Sequence, residues 1–164
     1  MNKSFFGFAP VFDENSRVLI LGSFPSVKSR EVNFYYGNPQ NRFWKTLYDF
    51  FNATPKNSIE EKIAFLKENK IALYDVFSEC DIKGSMDSEI DEKNSVAADM
   101  TDIFSTAKKL ELIICNGKLA YSTFIKNYPQ KADMAIYLPS TSSANPSFSY
   151  EKWHAALYKI YRAE

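Results

Sequence analysis

Four short apolar runs punctuate the chain: Arg17–Leu21, Ile71–Phe77, Leu110–Cys115 and Ala135–Leu138. Each is nearly continuous and partly β-branched, the pattern of strands buried on both faces of a parallel sheet. Between them the apolar positions recur at helical spacing. Phe43, Trp44, Leu47, Phe50 and Phe51 share one helical face. Ser58 and Glu61 form a capping box ahead of Ile63, Phe65 and Leu66. Val96, Met100, Ile103, Phe104 and Ala107 predict another helix, and Leu119 to Lys126 a short one after Gly117. Trp153, Leu157, Ile160 and Tyr161 predict a final amphipathic helix. Strands alternating with helices argue for an α/β fold with a short, mainly four-stranded parallel sheet covered on both faces. In such sheets, ligands bind beyond the carboxyl ends of the strands. The site is therefore expected in the segments that follow Leu21, Tyr74, Cys115 and Leu138.

The length, 164 residues, suits a single domain over residues 1–164, and 45% hydrophobic with 24% charged content excludes a disordered chain. Twenty basic residues balance twenty acidic ones. A generic electrostatic nucleic-acid binder is basic overall, so any such contact here must be local. The cysteines, Cys80 and Cys115, form no CxxC pair, and His154 is the single histidine, so no metal site is expected. Cys115 reads as a buried free thiol suited to a reducing cytosol. No run approaches the ~20 apolar residues of a membrane span. The N-terminus lacks the apolar core of a signal peptide. These features predict a cytoplasmic monomer.

The four expected site segments carry unusual chemistry. The first holds Gly22-Ser23-Phe24-Pro25-Ser26, then a long connection to Tyr35-Tyr36-Gly37-Asn38-Pro39-Gln40-Asn41-Arg42-Phe43-Trp44. An aromatic ring there can stack on a base, and an Asn amide can meet a base edge or hold a water. Asn41 is equally suited to capping the helix that follows. The second opens with Asp75, an acid ending an apolar run; it can orient a ligand group, and fixing a loop is the favoured role. The third is Asn116-Gly117-Lys118. The fourth, Pro139-Ser140-Thr141-Ser142-Ser143-Ala144-Asn145-Pro146, offers hydroxyls and N–H groups suited to phosphate oxygens, although Ser-rich turns are also common for their own sake. No Gly-rich phosphate loop and no GxSxG nucleophile elbow is present, which counts against a nucleotide binder and a serine hydrolase relying on His154.

Taken together, these segments resemble the uracil-DNA glycosylase superfamily, and most of all its hypoxanthine-DNA glycosylase branch. Four motifs carry the likeness in the family's order: Leu21–Ser26, Tyr36–Trp44, Asn116–Tyr121 and Leu138–Asn145, within about residues 16–161. The resemblance implies a three-layer αβα sandwich, no cofactor, and excision of a deaminated base from DNA by hydrolysis of its N-glycosidic bond. Hypoxanthine is the expected base, ahead of uracil or xanthine, and an abasic site for base excision repair is the expected product. Most of the superfamily has a catalytic Asp or Asn where this chain has Phe24. The hypoxanthine branch uses an Asn of the NPQN box, which here is Asn41. Tyr36 matches the ring that stacks on the flipped base, with Phe24 beside it. Ser23 and Asn116 are expected to read the base edge. Ser140 stands where relatives carry His or Asn, leaving backbone N–H groups and hydroxyls to contact the leaving base. Ser26, Thr141, Ser142 and Ser143 are expected to grip phosphates, and Ala144 falls near the position of the wedge. Phe24 and Ser140 also motivate an alternative, a non-catalytic binder of damaged or single-stranded DNA on the same scaffold. The role of Lys83-Gly84-Ser85-Met86-Asp87-Ser88, within the polar stretch 81–95, is either a DNA-facing loop or a plain connection.

Overall fold

A computed structural model describes residues 3–82 and 90–162. The segment Lys83–Ser88 lies outside the described residues. Four parallel strands form the central sheet: β2 (Val18–Gly22), β3 (Ile71–Asp75), β6 (Leu112–Asn116) and β7 (Ala135–Leu138), in the order β3-β2-β6-β7. The registers run Gly22 opposite Asp75, Leu21 opposite Cys115, and Asn116 opposite Leu138, so the strand ends finish at one level. The first strand of this sheet, β2, lies inside it, with the next two, β3 and β6, on either side. The crevice between β2 and β6 is thus the switch point at which open α/β sheets hold ligands.

Alternation along β2 sends its side chains into two separate cores. Val18 and Ile20 join one, with Ile71, Leu73, Ile114 and the inner faces of α2 (Phe43–Phe50), α3 (Ile59–Glu68) and α6 (Tyr150–Tyr161). Leu19 and Leu21 join the other, with Ala72, Ile113 and Cys115, covered by α4 (Thr101–Thr106) and α5 (Lys118–Asn127). Three layers result, helices on sheet on helices. The capping box forms: Ser58 accepts from the Glu61 N–H at 3.1 Å. Cys80 and Cys115 are both buried and form no disulfide, and burial pushes the Cys115 thiol up to about 12. No helix among the described residues is long and apolar enough to cross a membrane.

Three elements depart from the pattern-based expectation. The run Ile71–Phe77 is two strands, because the chain turns at Val76 and enters β4 (Phe77–Ile82) of a second sheet. That sheet is antiparallel, ordered β1-β4-β5, with β1 at Lys3–Phe6 and β5 at Ile90–Ala97. Its edge strands are polar or end-of-chain and bury little, so hydrophobic continuity does not mark them. Val96 accordingly lies in β5 and is half-exposed, and the helix expected around it is only α4. A six-residue helix, α1 (Val27–Val32), also follows the first motif, capped by Ser26.

Candidate active site

A cavity of about 600 Å³ opens at the carboxyl ends of the central strands. Of the residues singled out in the sequence, Ser23, Phe24, Ser26, Tyr36, Asn41, Asn116, Ser140, Thr141 and Ser142 all line it. Ser143 does not; it is exposed beyond the rim. His154 is also absent from the lining: it packs on Tyr150 at 4.0 Å and Phe50 at 5.2 Å between α2 and α6. A hydrolase triad therefore has no histidine at this cavity. Among the described residues no group of three or more His, Cys, Asp or Glu is placed to hold a metal ion.

The floor is built at Gly22. A Cβ there would stand 2.6 Å from Asp75 Oδ1 and 2.8 Å from Tyr36 Oη. Only a residue without a side chain lets the carboxylate and the phenol both come this close to the end of β2. Tyr36 itself has a left-handed backbone, φ 52°, a conformation uncommon for bulky residues and found where a site demands it. Its ring stacks on Phe43, 3.9 Å between centroids and 16° from parallel. Phe43 is wholly buried and backs one face of Tyr36, which itself lines the cavity. Behind them Tyr35 donates its hydroxyl to Ala9 O at 2.8 Å. Burial first, then the charge of Asp75, pushes the Tyr35 phenol well above its ordinary range and keeps it neutral.

Asn41 lies just before α2, and its Oδ1 accepts from the Phe43 N–H at 2.9 Å. The N-cap position of α2 is Arg42, so Asn41 stands one residue outside it, holding the first N–H of the helix while lining the cavity. The bond also fixes which end of the amide is oxygen, since an N–H needs an acceptor. A carbonyl oxygen has two lone pairs, so one remains for a water.

Asn116 proves to be a tie. Its Oδ1 accepts from the Thr141 N–H at 3.0 Å. Its Nδ2 donates to Thr141 Oγ1 at 3.0 Å and to Tyr36 Oη at 3.3 Å. Both amide hydrogens are spent, so the side chain has none left to read a base. Thr141 is wholly buried by the same bonds and does not reach the surface where a phosphate would lie. Ser26 likewise spends its hydroxyl inside the protein, accepting from the Ser29 N–H and donating to Ser29 Oγ. Replacing Asn116 by Ala strands the Thr141 N–H in a buried site and is expected to cost about 1–3 kcal/mol. Urea unfolding would measure it, and unchanged stability would show that the tie carries no weight.

The loop after β7 is pinned from three directions. Trp153 of α6 donates Nε1 to Pro139 O at 2.9 Å. Arg42 donates Nη2 to Ser142 O at 2.6 Å and to Asn145 O at 2.9 Å, and its own N–H meets Thr141 O at 3.0 Å. Its guanidinium also lies 4.4 Å over the Phe148 ring. Asn116 holds the third side. Opposite, Gly117 (φ 101°) begins α5 in a backbone conformation that only glycine adopts freely, and its Cα lies against Ser140. Sequence reasoning missed Arg42, whose role needs a partner 100 residues away, and Lys118, the only cation among the lining residues.

This fold and site define an αβα protein with a ligand cavity at the switch point of its sheet. The profile of the Uracil DNA glycosylase superfamily matches residues 9–160, and the chain belongs to that superfamily. A curated hypoxanthine DNA glycosylase of Methanosarcina acetivorans is 36% identical over 155 residues, 91% of this chain and 95% of that protein. A hypoxanthine DNA glycosylase of Methanosarcina barkeri is 38% identical over 114 residues, 68% of this chain and 70% of that protein. The solution NMR structure of a candidate uracil DNA glycosylase from Methanosarcina acetivorans superposes with a TM-score of 0.82 at 34% identity, covering 96% of this chain and 99% of that one.

Proposed function

We propose that this protein is a monofunctional DNA glycosylase that excises hypoxanthine from DNA and leaves an abasic site for base excision repair. The observation that carries the reading is the cavity at the strand ends, which gathers Tyr36, Asn41 and the Ser140–Ser142 loop. The names of its relatives point the same way.

The target base must leave the helical stack before chemistry. Tyr36, backed by Phe43, offers it a replacement stack, with Phe24 alongside. Ser23 lines the same floor. Cleavage then builds positive charge on the sugar and negative charge on the leaving base, as in glycoside hydrolysis generally. Donors near Ser140, with Lys118 at the mouth, stabilise the leaving base. Asn41 holds the attacking water on its second lone pair. An amide is a weak base, so its contribution is placement of the nucleophile. Ser142 and Ser143, at and beyond the rim, are left to meet backbone phosphates, and the shortage of cations predicts a shallow salt dependence. Thr141 and Asn116 serve by holding the loop.

The test is a single-turnover assay on labelled duplexes carrying one hypoxanthine, uracil or xanthine, followed by alkaline cleavage of abasic sites. Strand scission at hypoxanthine, faster than at the other two, is the expected result. Retained binding with no scission on any duplex would replace this reading with the non-catalytic binder.

A further inference from the structure

Tyr36 and its neighbours account for the base inside the cavity, and Tyr137 at the rim is left without a part. We propose that Tyr137 is a second stacking platform, which takes the unpaired base next to the excised one when the DNA is single-stranded. The proposal rests on the glycosylase reading above and extends that site to a strand type.

Tyr137 lies in β7, the edge strand of the parallel sheet. Side chains alternate along a strand. Leu138 therefore enters the core under α2 and α6, while Tyr137 stands opposite Cys115, whose core lies under α4 and α5. There its ring meets Tyr121 of α5, with centroids 6.4 Å apart and planes at 69°. That contact is edge to face. Among the described residues no ring is stacked on Tyr137, whereas Tyr36 is stacked on Phe43.

Tyr137 is 39% exposed. Single exposed apolar side chains are ordinary on a protein surface. Position sets this one apart. The other large apolar side chains exposed to this degree among the described residues, such as Phe6, Val96 and Tyr158, are not part of the cavity lining, and Tyr137 is. Lys118, exposed in the first turn of α5, lines the same cavity. Its charge suits the phosphate that joins the two nucleotides.

Stacking on an aromatic ring tolerates any sequence, because every base has a π-face. In a duplex the neighbouring base is held by its partner and its own helical stack, so it does not reach the rim. In a single strand no partner holds it, and it can settle on Tyr137. The platform therefore acts on single strands and not on duplexes.

Fluorescence anisotropy tests the assignment, using a strand with one hypoxanthine on a 2′-fluoro sugar, alone and annealed into a duplex. The fluorine disfavours positive charge on the sugar and keeps the base attached during the titration. Wild type is compared with Tyr137→Leu and Tyr137→Phe. Leucine keeps an apolar contact for Tyr121 but has no flat face; phenylalanine keeps the face. One lost base–aromatic stack corresponds to about 5- to 150-fold in affinity. Single-strand affinity relative to duplex affinity is expected to fall at least ~5-fold in Tyr137→Leu and to hold near wild type in Tyr137→Phe. A second measurement locates the base. A tetrahydrofuran residue, which has no base, replaces the nucleotide on the 5′ or the 3′ side of the hypoxanthine. On one of the two sides it should weaken wild type at least ~5-fold, with no further loss in Tyr137→Leu. Equal weakening on single strand and duplex, unchanged affinity in Tyr137→Leu, or an equal loss in both proteins from the missing neighbour would each overturn the platform. The glycosylase reading stands or falls separately, on whether wild type excises hypoxanthine from an ordinary strand.

Discussion

Asn41→Ala is expected to lower single-turnover excision by at least ~10²-fold, the scale of losing one positioned catalytic group. Two effects of this substitution must be separated. The side chain also caps the Phe43 N–H, and losing such a cap costs about 1 kcal/mol of stability. Asn41→Ser separates them, since a hydroxyl can keep the cap but does not reach as far into the cavity. Melting should therefore fall in the Ala variant and stay near wild type in the Ser variant, while excision collapses in both. Duplex binding should hold in both, because the amide touches water and not phosphate in the proposed geometry. An excision rate that follows stability, lost in Ala and kept in Ser, would reduce Asn41 to a helix cap.

Gly22→Ala should be nearly as damaging without removing any functional group. Its Cβ would press on Asp75 Oδ1 and Tyr36 Oη at distances that folded proteins do not tolerate. Overpacking of this kind costs about 1–3 kcal/mol. Moving the stacking ring by about 1 Å can cost 10²-fold in rate. Gly7→Ala is the control, since a Cβ there meets its nearest neighbour at an ordinary 3.4 Å. Excision by Gly7→Ala near wild type, with that of Gly22→Ala reduced at least ~10²-fold, is the expected pair of results. Equal activity of the two variants would mean that the floor yields without consequence.

The parallel sheet could be read from the chain because its strands are buried on both faces, which leaves Val18 to Leu21 apolar throughout. The same logic fails for β5, whose Asp91, Glu92 and Lys93 sit in a two-sided, partly solvated strand that looks like a loop. It fails again at Val76, where an unbroken apolar run changes sheets without any change of composition. Within the site, residue type identified most of what gathers at the cavity but not which hydrogen bonds each group makes inside the protein. Asn116 and Thr141 are polar, and their polarity is consumed by each other. For Asp75 the sequence left ligand contact and loop support both open, with loop support favoured, and the fold places it among the lining of the cavity. Arg42 was invisible, because the carbonyls it binds belong to a segment a hundred residues on. Spacing along a chain reports which face a residue occupies; it does not report which partner has already claimed it.

The loop after β7 is fastened by Trp153, Arg42 and Asn116 through bonds within the protein itself. Ordering a loose loop on binding would consume about 0.5–1.5 kcal/mol for each immobilised side chain. A loop so fastened does not pay that entropy when DNA arrives. In the proposed reaction the protein is then the stiff partner, and the deformation needed to bring a nucleotide into the cavity falls on the duplex. Unpairing a base costs least where it is mismatched or damaged. A rigid receptor therefore samples base pairs by how readily they give way, and a deaminated base in a poor pair yields before an intact one does.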